Sequence, residues 1–404
     1  MRATPARRME PAMIIYTVSP GDSVDSIAAA FQSPADSIIY INQLVPPYAL
    51  AVGQALLIEN GTQGAVPPGR SIPVTYAERG LIPFGYAYPN ISPWVLEQTL
   101  PYLSDLHIFS YGFTAEGMLI PPPADDTRTI EAARNAGVRP ILTLTPFGPD
   151  GRFNNTLISS VVRNPSYRQN LIWQLFAVMS EKGFAGVDVD FEYILADDRD
   201  LFTAFVADLA SVLRTSGYST SVALAPKTSA GQSGLLYEGK DYRALGALAD
   251  SVLLMTYEWG FKHGPNMAVA PLDKVRRVVD YAVTEIAPDK ISLGIPNYGY
   301  DWPLPFERGV TEAVTIGNVE AVQIAIQNGA SIQFDETAQS PFFNYTANGT
   351  GHEVWFEDAR SILSKFGLIR EYGLRGAGWW QLMRWWRANW VLMQAVFGTP
   401  AHTL

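Results

Sequence analysis

The chain contains no cysteine. This absence excludes disulfide bonds, thiolate metal sites and cysteine nucleophiles together. No run of about 18 apolar residues occurs, so we expect no membrane-spanning helix. Histidine is also scarce, and the four histidines are His107, His263, His352 and His402. They lie far apart without the helical spacing of metal ligands, so we expect no metal site and no cofactor.

Positive charge is in short supply, and the formal net charge is −10. An acidic chain is a poor candidate for binding nucleic acid or an anionic membrane surface, so we expect neither partner. A neutral sugar polymer is compatible with this charge. The 404 residues, of which 48% are hydrophobic, suffice for a large barrel and a small module. We expect a monomer.

The N-terminal stretch is basic, but its apolar run is too short for a secretory signal. We interpret residues 1–13 as disordered or as an over-called start of translation. Residues 14–58 then predict a compact β-α-α-β unit, with IIYTV and ALAVGQALLI as strands. The turn SPGDS caps the helix VDSIAAAF, and a second helix begins at Ser33.

The segments YTVSPGDSVDSIAAAF, INQL and LAVGQALLIEN resemble a LysM module, the small sugar-binding domain of cell-wall proteins. The match spans residues 14–58; an unrelated small α/β cap is the alternative. The resemblance implies a sugar groove formed by the PGDS turn and the segment from Asn42 to Tyr48. We assign glycan binding to Gly21, Asp22, Ser23 and Asn42.

Residues 59–74 are rich in glycine and proline and are interpreted as a linker. From there to residue 404, short apolar runs alternate with amphipathic stretches, which indicates an α/β fold. Eight runs are present, the number that a (β/α)8 TIM barrel needs. A doubly wound open sheet is the alternative, but no phosphate-binding glycine fingerprint accompanies it. The runs are PFGYAYP, LHIFSYGF, RPILTLTPF, GVDVDFEY, TSVALAPK, SVLLMTYEW, KISLGIPNYG and GAGWWQL.

Seven helices are predicted between these runs, and segment 301–351 is long enough to form a small α+β insertion before the last strand. The helices are predicted over 93–102, 127–136, 164–182, 200–216, 241–247, 271–286 and 356–371.

The run GVDVDFEY places Asp188, Asp190 and Glu192 two residues apart. Side chains alternate along a strand, so the three carboxylates should share one face, with neighbours about 6.5–7 Å apart. Acids at the C-terminal end of a barrel strand are usually catalytic, although a structural cluster is the alternative. Because Glu192 is nearest the barrel mouth and Asp190 is a like charge beside it, the pair should share one proton near neutral pH. Glu192 can then act as general acid and later as base.

GVDVDFE resembles the signature Asp-x-x-Asp-x-Asp-x-Glu of glycoside hydrolase family 18, the chitinase-like barrel enzymes. The first acid of that pattern is replaced by Ala185 in this chain. The resemblance implies a retaining mechanism in which the 2-acetamido oxygen of the substrate attacks C1, so no protein nucleophile is used. It also implies that Asp190 and Tyr257, the latter in LLMTYEW, orient the acetamido group.

Further binding residues follow from the same resemblance and from aromatic side chains at strand ends, on which sugar faces stack. Trp380 is assigned to the floor of the sugar pocket, with Trp379 as the alternative. Glu258 stands where chitinases commonly have aspartate. The remaining assigned residues are Tyr111, Tyr298 and Met255.

Together, the LysM module, GYAYPNI, MTYEWG and GIPNYGYDWPLPF resemble the spore cortex-lytic N-acetylglucosaminidases of bacteria. The resemblance implies hydrolysis of β-1,4 bonds after N-acetylglucosamine in cortex peptidoglycan during germination. It also implies a location at the spore coat or cortex surface without a signal peptide. The alternatives are a chitinase acting on chitin oligomers and a non-catalytic glycan-binding spore-coat protein. Endo and exo action are both compatible with the sequence.

Overall fold

A computed structural model describes residues 12–60, 71–77 and 80–400. Residues 1–11, the greater part of the segment expected to be disordered, lie outside these ranges. Ala12 and Met13, the last two residues of that segment, belong to the first strand. None of the helices in the described ranges is both long and apolar enough to cross a membrane.

The N-terminal module is a small antiparallel sheet covered by two helices. Ser23 begins the first helix, because its Oγ accepts the backbone N–H of Ser26 at 3.1 Å while Ser26 Oγ accepts the N–H of Ser23 at 2.9 Å. The elements are β1 (Ala12–Thr17), α1 (Val24–Phe31), α2 (Ala35–Ile41), β2 (Ala55–Asn60) and β3 (Ser71–Pro73).

Strand β1 pairs antiparallel with β2 on one side and with β3 on the other. The structure therefore differs from the interpretation of residues 59–74 as a linker. Glu59 and Asn60 belong to β2, and Ser71–Pro73 form β3 at the far edge of the same sheet. The expected linker residues 61–70 lie outside the described ranges.

Eight parallel strands form the closed barrel that the sequence predicts. The last strand pairs with the first, and the first pairs with the second, which closes the sheet. The short β6 (Leu119–Ile120) pairs antiparallel with the end of β5. The barrel strands are β4 (Ile82–Ala87), β5 (Asp105–Phe113), β7 (Arg139–Leu144), β8 (Gly186–Val189), β9 (Ser219–Leu224), β10 (Ser251–Leu254), β11 (Ile291–Pro296) and β17 (Gly376–Trp380).

All seven helices expected around the barrel are present, with ends shifted by at most three residues. The structure adds α5, whose β-branched and serine residues have low helix propensity, and α12, whose apolar residues lie on most of its faces. The outer helices are α3 (Pro93–Thr99), α4 (Thr127–Asn135), α5 (Thr156–Arg163), α6 (Pro165–Lys182), α7 (Arg199–Arg214), α8 (Tyr242–Leu248), α9 (Leu272–Glu285), α11 (Ala359–Tyr372) and α12 (Arg387–Phe397).

Helix α6 leads the chain into β8, and its ends are set by local sequence. The side chain of Asn164 accepts the backbone N–H of Ser166 at 3.0 Å, and Pro165 occupies the first helical position. Gly183 ends the helix in the left-handed region at φ 78°. Three residues later β8 begins at Gly186, and this strand carries the row of acids.

The insertion before the last barrel strand is a five-stranded antiparallel sheet with one helix, which confirms the predicted small α+β element. It extends a few residues beyond the expected segment 301–351. Its elements are β12 (Gly299–Leu304), β13 (Val314–Ile316), α10 (Asn318–Gln327), β14 (Gln333–Asp335), β15 (Ser340–Ala347) and β16 (Thr350–Trp355).

The N-terminal module packs directly on the barrel and its insertion. Met13, Ile15, Ile41 and Leu57 belong to the same buried cluster as the barrel side chains. The guanidinium of Arg387 donates to the Tyr40 carbonyl at 2.7 Å, and its carbon lies 3.7 Å from the centre of the Tyr40 ring. The module is thus held in a fixed position.

The insertion meets the module at Gly53, where only glycine fits. Its φ is +84°, and a Cβ there would lie 1.8 Å from the carbonyl oxygen of Ile332. The backbone N–H of Ile332 also donates to the Val52 carbonyl at 2.8 Å, and Arg360 donates to the Gly53 carbonyl at 3.2 Å. These contacts link the loop between α2 and β2 to the insertion and to α11.

Candidate active site

The three acids of GVDVDFEY lie at increasing height in the barrel. Asp188 is fully buried, Asp190 is 7% exposed, and Glu192 is half-buried, which is the order of depth expected from the sequence. Strand β8 ends at Val189, four residues earlier than expected, but the N–H of Asp190 still donates to the Leu144 carbonyl at 2.9 Å. The acid row therefore leaves the strand at the mouth of the barrel.

The residues between the acids face the outer helices. Phe191 stacks on Phe205 of α7 with ring centres 5.7 Å apart and is fully buried. Val187 and Val189 are also buried in the cluster between strands and helices. This alternation supports the expectation that the carboxylates share the inner face.

Two side chains from other strands donate hydrogen bonds to Asp188, and a third lies close to it. The Tyr86 hydroxyl donates to Oδ2 at 2.8 Å and the Ser221 hydroxyl donates to Oδ1 at 2.6 Å. Nδ1 of His107 lies 3.5 Å from Oδ2, at the outer limit of a hydrogen bond. Burial opposes ionisation of Asp188, but the contacts with His107, Ser221 and Tyr86 outweigh it and lower the pKa. Asp188 therefore carries a negative charge in the barrel interior.

Asp190 and Glu192 behave in the opposite way. Burial raises the pKa of Asp190 well above its usual value, and the charges of Glu192 and Asp188 raise it further. Its Oδ1 is buried without a hydrogen-bond partner among the described residues. Burial also raises the pKa of Glu192, against the opposing effect of Lys240. These shifts favour a state in which the pair holds one proton.

Glu192 opens onto a cleft of about 420 Å³ at the C-terminal ends of the strands. This end of a barrel is where active sites of such folds lie. Three residues assigned from the sequence, Met255, Tyr257 and Glu258, also line it. The full lining is Glu192, Tyr193, Ala225, Pro226, Leu236, Tyr237, Met255, Tyr257, Glu258, Trp259 and Phe261.

Tyr257 keeps its phenolic proton. Burial raises the pKa of Tyr257 well above its usual value, and the charges of Asp190, Glu192 and Glu258 raise it further. Its hydroxyl is therefore a hydrogen-bond donor placed beside the acid pair. This is the chemistry needed to bind an acetamido oxygen.

Glu258 occupies a strained position at the rim of the cleft, with φ at +66°. Its Oε1 accepts hydrogen bonds from two tyrosine hydroxyls, Tyr298 and, at 3.0 Å, Tyr300. Desolvation raises the pKa of Glu258, and these two hydrogen bonds oppose the rise. Tyr298 is itself buried, so it reaches the cleft through Glu258 rather than as an exposed ring.

The two tryptophans of GWW have different surroundings. Trp379 is fully buried, and its Nε1 donates to Asn389 Oδ1 at 3.1 Å. Trp380 is half-buried, and its ring centre lies 4.9 Å from that of Phe109 and 5.5 Å from that of Tyr86. Of the two, only Trp380 offers a ring on the inner side of the barrel.

Tyr111 does not belong to the cleft, contrary to the sequence-based assignment. It is 1% exposed, packs against Phe184 and donates from its hydroxyl to Asp126 Oδ2 at 2.5 Å. The pairing of β5 with β7 shifts register between Ile108 and Tyr111. That irregularity turns Tyr111 toward the helices, whereas Phe109, two residues earlier, faces Trp380.

In the LysM module, the PGDS turn is stabilised from within. Asp22 Oδ2 accepts the Tyr16 hydroxyl at 2.7 Å and the Ser19 N–H at 2.6 Å. Gly21 and Ser23 are exposed beside it, and Gly21 has a φ of +87°. These contacts fix the turn and present its backbone to solvent.

Asn42 makes hydrogen bonds that tie α2 to β2. Its Nδ2 donates to the carbonyls of Ile38 and Leu57, both at 2.9 Å, and its Oδ1 accepts the Leu57 N–H at 2.8 Å. Both amide protons are thus engaged by backbone. The geometry gives Asn42 a structural role in the module instead of the direct glycan contact assigned from the sequence.

Two residues near the acids were missed in the sequence. His107 was interpreted as one of four scattered histidines, yet it contacts Asp188. Lys240 is fully buried and donates to the Glu192 carbonyl at 2.9 Å. Neither residue belongs to a local sequence motif, because each is distant in sequence from the acid that it contacts and is brought there by the fold. No group of three histidine, aspartate or glutamate side chains in the described ranges is arranged to hold a metal ion.

Comparison with known proteins agrees with this geometry. The model of glycosyl hydrolases family 18 matches residues 141–384, and the LysM domain model matches residues 16–59. The cortical fragment-lytic enzyme of Bacillus subtilis is 37% identical, over 97% of this chain and 100% of its own length.

Two solved structures are similar over nearly the whole chain. The spore cortex-lytic enzyme SleL of Bacillus cereus is 32% identical with a TM-score of 0.90, covering 96% of this chain and 98% of its own. SleL of Bacillus megaterium QM B1551 is 33% identical with a TM-score of 0.87, covering 95% and 97%. The chain therefore belongs to the glycosyl hydrolases of family 18, as a glycoside hydrolase whose barrel follows a LysM domain.

Proposed function

We propose that this protein hydrolyses β-1,4 bonds after N-acetylglucosamine in spore cortex peptidoglycan during germination, with retention of configuration. The named activity of the relatives, cortical fragment lysis, supports the substrate. The observation that carries the chemistry is the Asp190–Glu192 pair, whose raised pKa values favour one shared proton at the mouth of the barrel.

In the first step, Glu192 donates its proton to the glycosidic oxygen as the bond from that oxygen to C1 breaks. The carbonyl oxygen of the substrate's own 2-acetamido group attacks C1 and forms an oxazolinium ion. With the shared proton on Glu192, Asp190 is a carboxylate; it accepts the acetamido N–H and stabilises the positive ring. The Tyr257 hydroxyl donates to the acetamido oxygen and holds it below C1.

In the second step, Glu192 accepts a proton from water as that water attacks C1 and opens the oxazolinium ring. Two inversions at C1 give the β-anomer. Asp188, held in its charged form, keeps the proton affinity of Asp190 high between the steps. Trp380 provides the aromatic floor on which the sugar face stacks.

The surroundings of Glu258 support a mechanism without a protein nucleophile. Glu258 is the other carboxylate of the cleft, and two tyrosine hydroxyls donate to the same Oε1. Hydrogen bonds to a carboxylate oxygen reduce its nucleophilicity, so Glu258 is suited to binding a sugar hydroxyl rather than to attacking C1.

The LysM module supplies attachment to the insoluble polymer. We propose that the exposed turn at Gly21–Ser23 and the exposed segment 45–48 bind N-acetylglucosamine units. Because the module packs against the barrel in a fixed position, it holds the bound glycan chain in one orientation relative to the cleft. We place the protein at the spore coat or cortex surface, as a monomer with glycan as its partner.

The test is incubation of the protein with spore cortex fragments and, separately, with chitin oligomers, followed by mass spectrometry of the new reducing ends. The proposal predicts N-acetylglucosamine reducing ends from cortex and slower cleavage of chitin. Faster cleavage of chitin would make the protein a chitinase, and no cleavage of either would make it a glycan-binding protein.

A further inference from the structure

Lys240 is a buried lysine beside the acid pair with no role in the mechanism described above. It lies in the loop between β9 and α8 and is fully buried. Its Nζ donates to the backbone carbonyl of Glu192 at 2.9 Å. A second buried lysine, Lys227, lies beneath it and donates from Nζ to the Lys240 carbonyl at 3.1 Å.

Burying an ammonium group is costly unless negative charge compensates it. Lys365 shows the ordinary solution in this protein, since its buried Nζ bonds directly to the Glu357 carboxylate at 2.8 Å. Lys240 instead bonds to a neutral carbonyl, while the carboxylates that act on its charge are those of Glu192 and Asp190. The charge of Lys240 is therefore compensated by the acid pair and not by a direct ion pair of the Lys365 kind.

The charges that face Lys240 are few. Glu192 and Asp190 favour its protonated form, whereas burial, the largest effect, and the charge of Lys227 oppose it; the result is a pKa of about 8. Reciprocally, Lys240 lowers the pKa of both Asp190 and Glu192. At neutral pH its positive charge therefore limits the rise that burial imposes on the acid pair.

We propose that Lys240 is a positioning residue for Glu192: its hydrogen bond fixes the Glu192 peptide, and its charge sets the pH range in which Asp190 and Glu192 together hold one proton. This inference rests on the proposed role of Glu192 as the proton donor. It predicts a change in pH dependence that a purely structural lysine would not produce.

The experiment uses the full-length chain with Lys240→Met, which keeps the side-chain length and removes the charge. Without the positive charge of Lys240, the pKa values of both Asp190 and Glu192 should rise. Both limbs of the bell-shaped profile of kcat/KM should then move to higher pH by about one unit. The kcat at the new optimum should fall about tenfold with little change in KM, because the Glu192 peptide has lost its anchor.

Lys227→Met is the matched control, since it removes the other buried lysine of the same loop. Apart from the mutual repulsion with Lys240, the charges that act on Lys227 are those of Arg199, Asp241 and Glu285, and the acid pair is not among them. Its pH limbs should stay within about 0.3 units of the parent profile. Lys240→Arg retains the charge and should keep the limbs in place.

A folded Lys240→Met protein with unmoved limbs overturns the inference, and so do equal shifts in Lys240→Met and Lys227→Met. If Lys240→Met does not fold, the parent chain is labelled with ¹³C at lysine Cε. The resonance of Lys240, which should titrate with a midpoint near pH 8, must show a second change in chemical shift over the pH range of the acidic limb. This second change must be absent in Glu192→Gln. A single step refutes the proposal. Full activity of Glu192→Gln, by contrast, would refute the proposed function itself.

Discussion

The hydroxyl of Tyr86, on the first barrel strand, donates a 2.8 Å hydrogen bond to Oδ2 of Asp188 on the fourth. This bond crosses the interior of the barrel and helps to keep Asp188 charged beneath the acid pair. The charge in turn raises the pKa of Asp190. In the proposed mechanism, Asp188 therefore acts through the pKa of Asp190.

Asp188→Asn removes this charge and should lower the pKa of Asp190. The pair then loses its last proton at lower pH, so the alkaline limb of kcat/KM should move down by about one unit. The measurement is the pH profile on cortex fragments. Asp208→Asn, at an exposed aspartate on α7, is the control and should leave the limb unchanged. An alkaline limb that stays in place or rises would contradict the role of Asp188.

Tyr257→Phe removes one hydroxyl from the cleft and should affect the reaction more than binding. If that hydroxyl holds the acetamido oxygen against C1, kcat should fall by at least about tenfold while KM changes less than threefold. Steady-state kinetics on soluble cortex fragments measures both constants. Tyr281→Phe, on α9 and packed against Tyr242, is the matched control. A rise in KM at constant kcat would make Tyr257 a simple binding residue.

The main features of the site could be predicted because they are local in sequence. Alternation along GVDVDFEY sets the shared face of Asp188, Asp190 and Glu192, and a strand signal needs only neighbouring residues. The assignment of Tyr111 to the cleft was wrong because a register shift in β5 reverses the direction of its side chain. Such irregularities have no recognisable signal in the local sequence. Lys240 could not be found because its contact with Glu192 spans 48 residues of chain.

The fold shows the same division. Eight apolar runs predict eight barrel strands, whereas α5 was missed because its β-branched and serine residues have low helix propensity. Helix α12 was missed because apolar residues lie on most of its faces. The packing of the LysM module on the barrel depends on Arg387, Gln43 and Gly53, which are far apart in sequence. Removing residues 1–60 would therefore expose barrel surface, so point substitutions are the better test of the module.

Gly53→Ala should weaken the contact between module and insertion. The new Cβ would lie 1.8 Å from the Ile332 carbonyl oxygen. Gly21→Ala is the matched control, because its φ of +87° is similar but nothing lies within 4 Å of the added Cβ. Gly21→Ala should cost about 1–2 kcal/mol. Gly53→Ala should lower the free energy of unfolding by about 2 kcal/mol more, as measured by chemical denaturation. Equal losses would mean that the contact adds no stability.

Tyr48→Gly should reduce attachment to the insoluble wall. Tyr48 is 39% exposed in the segment proposed to bind glycan, and glycine tolerates its φ of +64°. Losing one sugar-stacking ring should lower the pelleted fraction with purified cortex severalfold, while turnover of soluble fragments stays at the parent rate. Sedimentation assays compare the two proteins. Undiminished pelleting would place the glycan site of the module elsewhere.

The most direct measurement is proton NMR of the first product released from soluble cortex fragments, recorded before the anomers equilibrate. Attack by the acetamido oxygen followed by attack by water predicts the β-anomer of a new N-acetylglucosamine reducing end. Glu192→Gln should keep the fold and release product at least about 100-fold more slowly. The exposed Glu238→Gln, in the loop that carries Lys240, should behave like the parent chain. An initial α-anomer, or equal cleavage of fully de-N-acetylated glycan, would contradict the mechanism and make Glu258 the first candidate for a nucleophile.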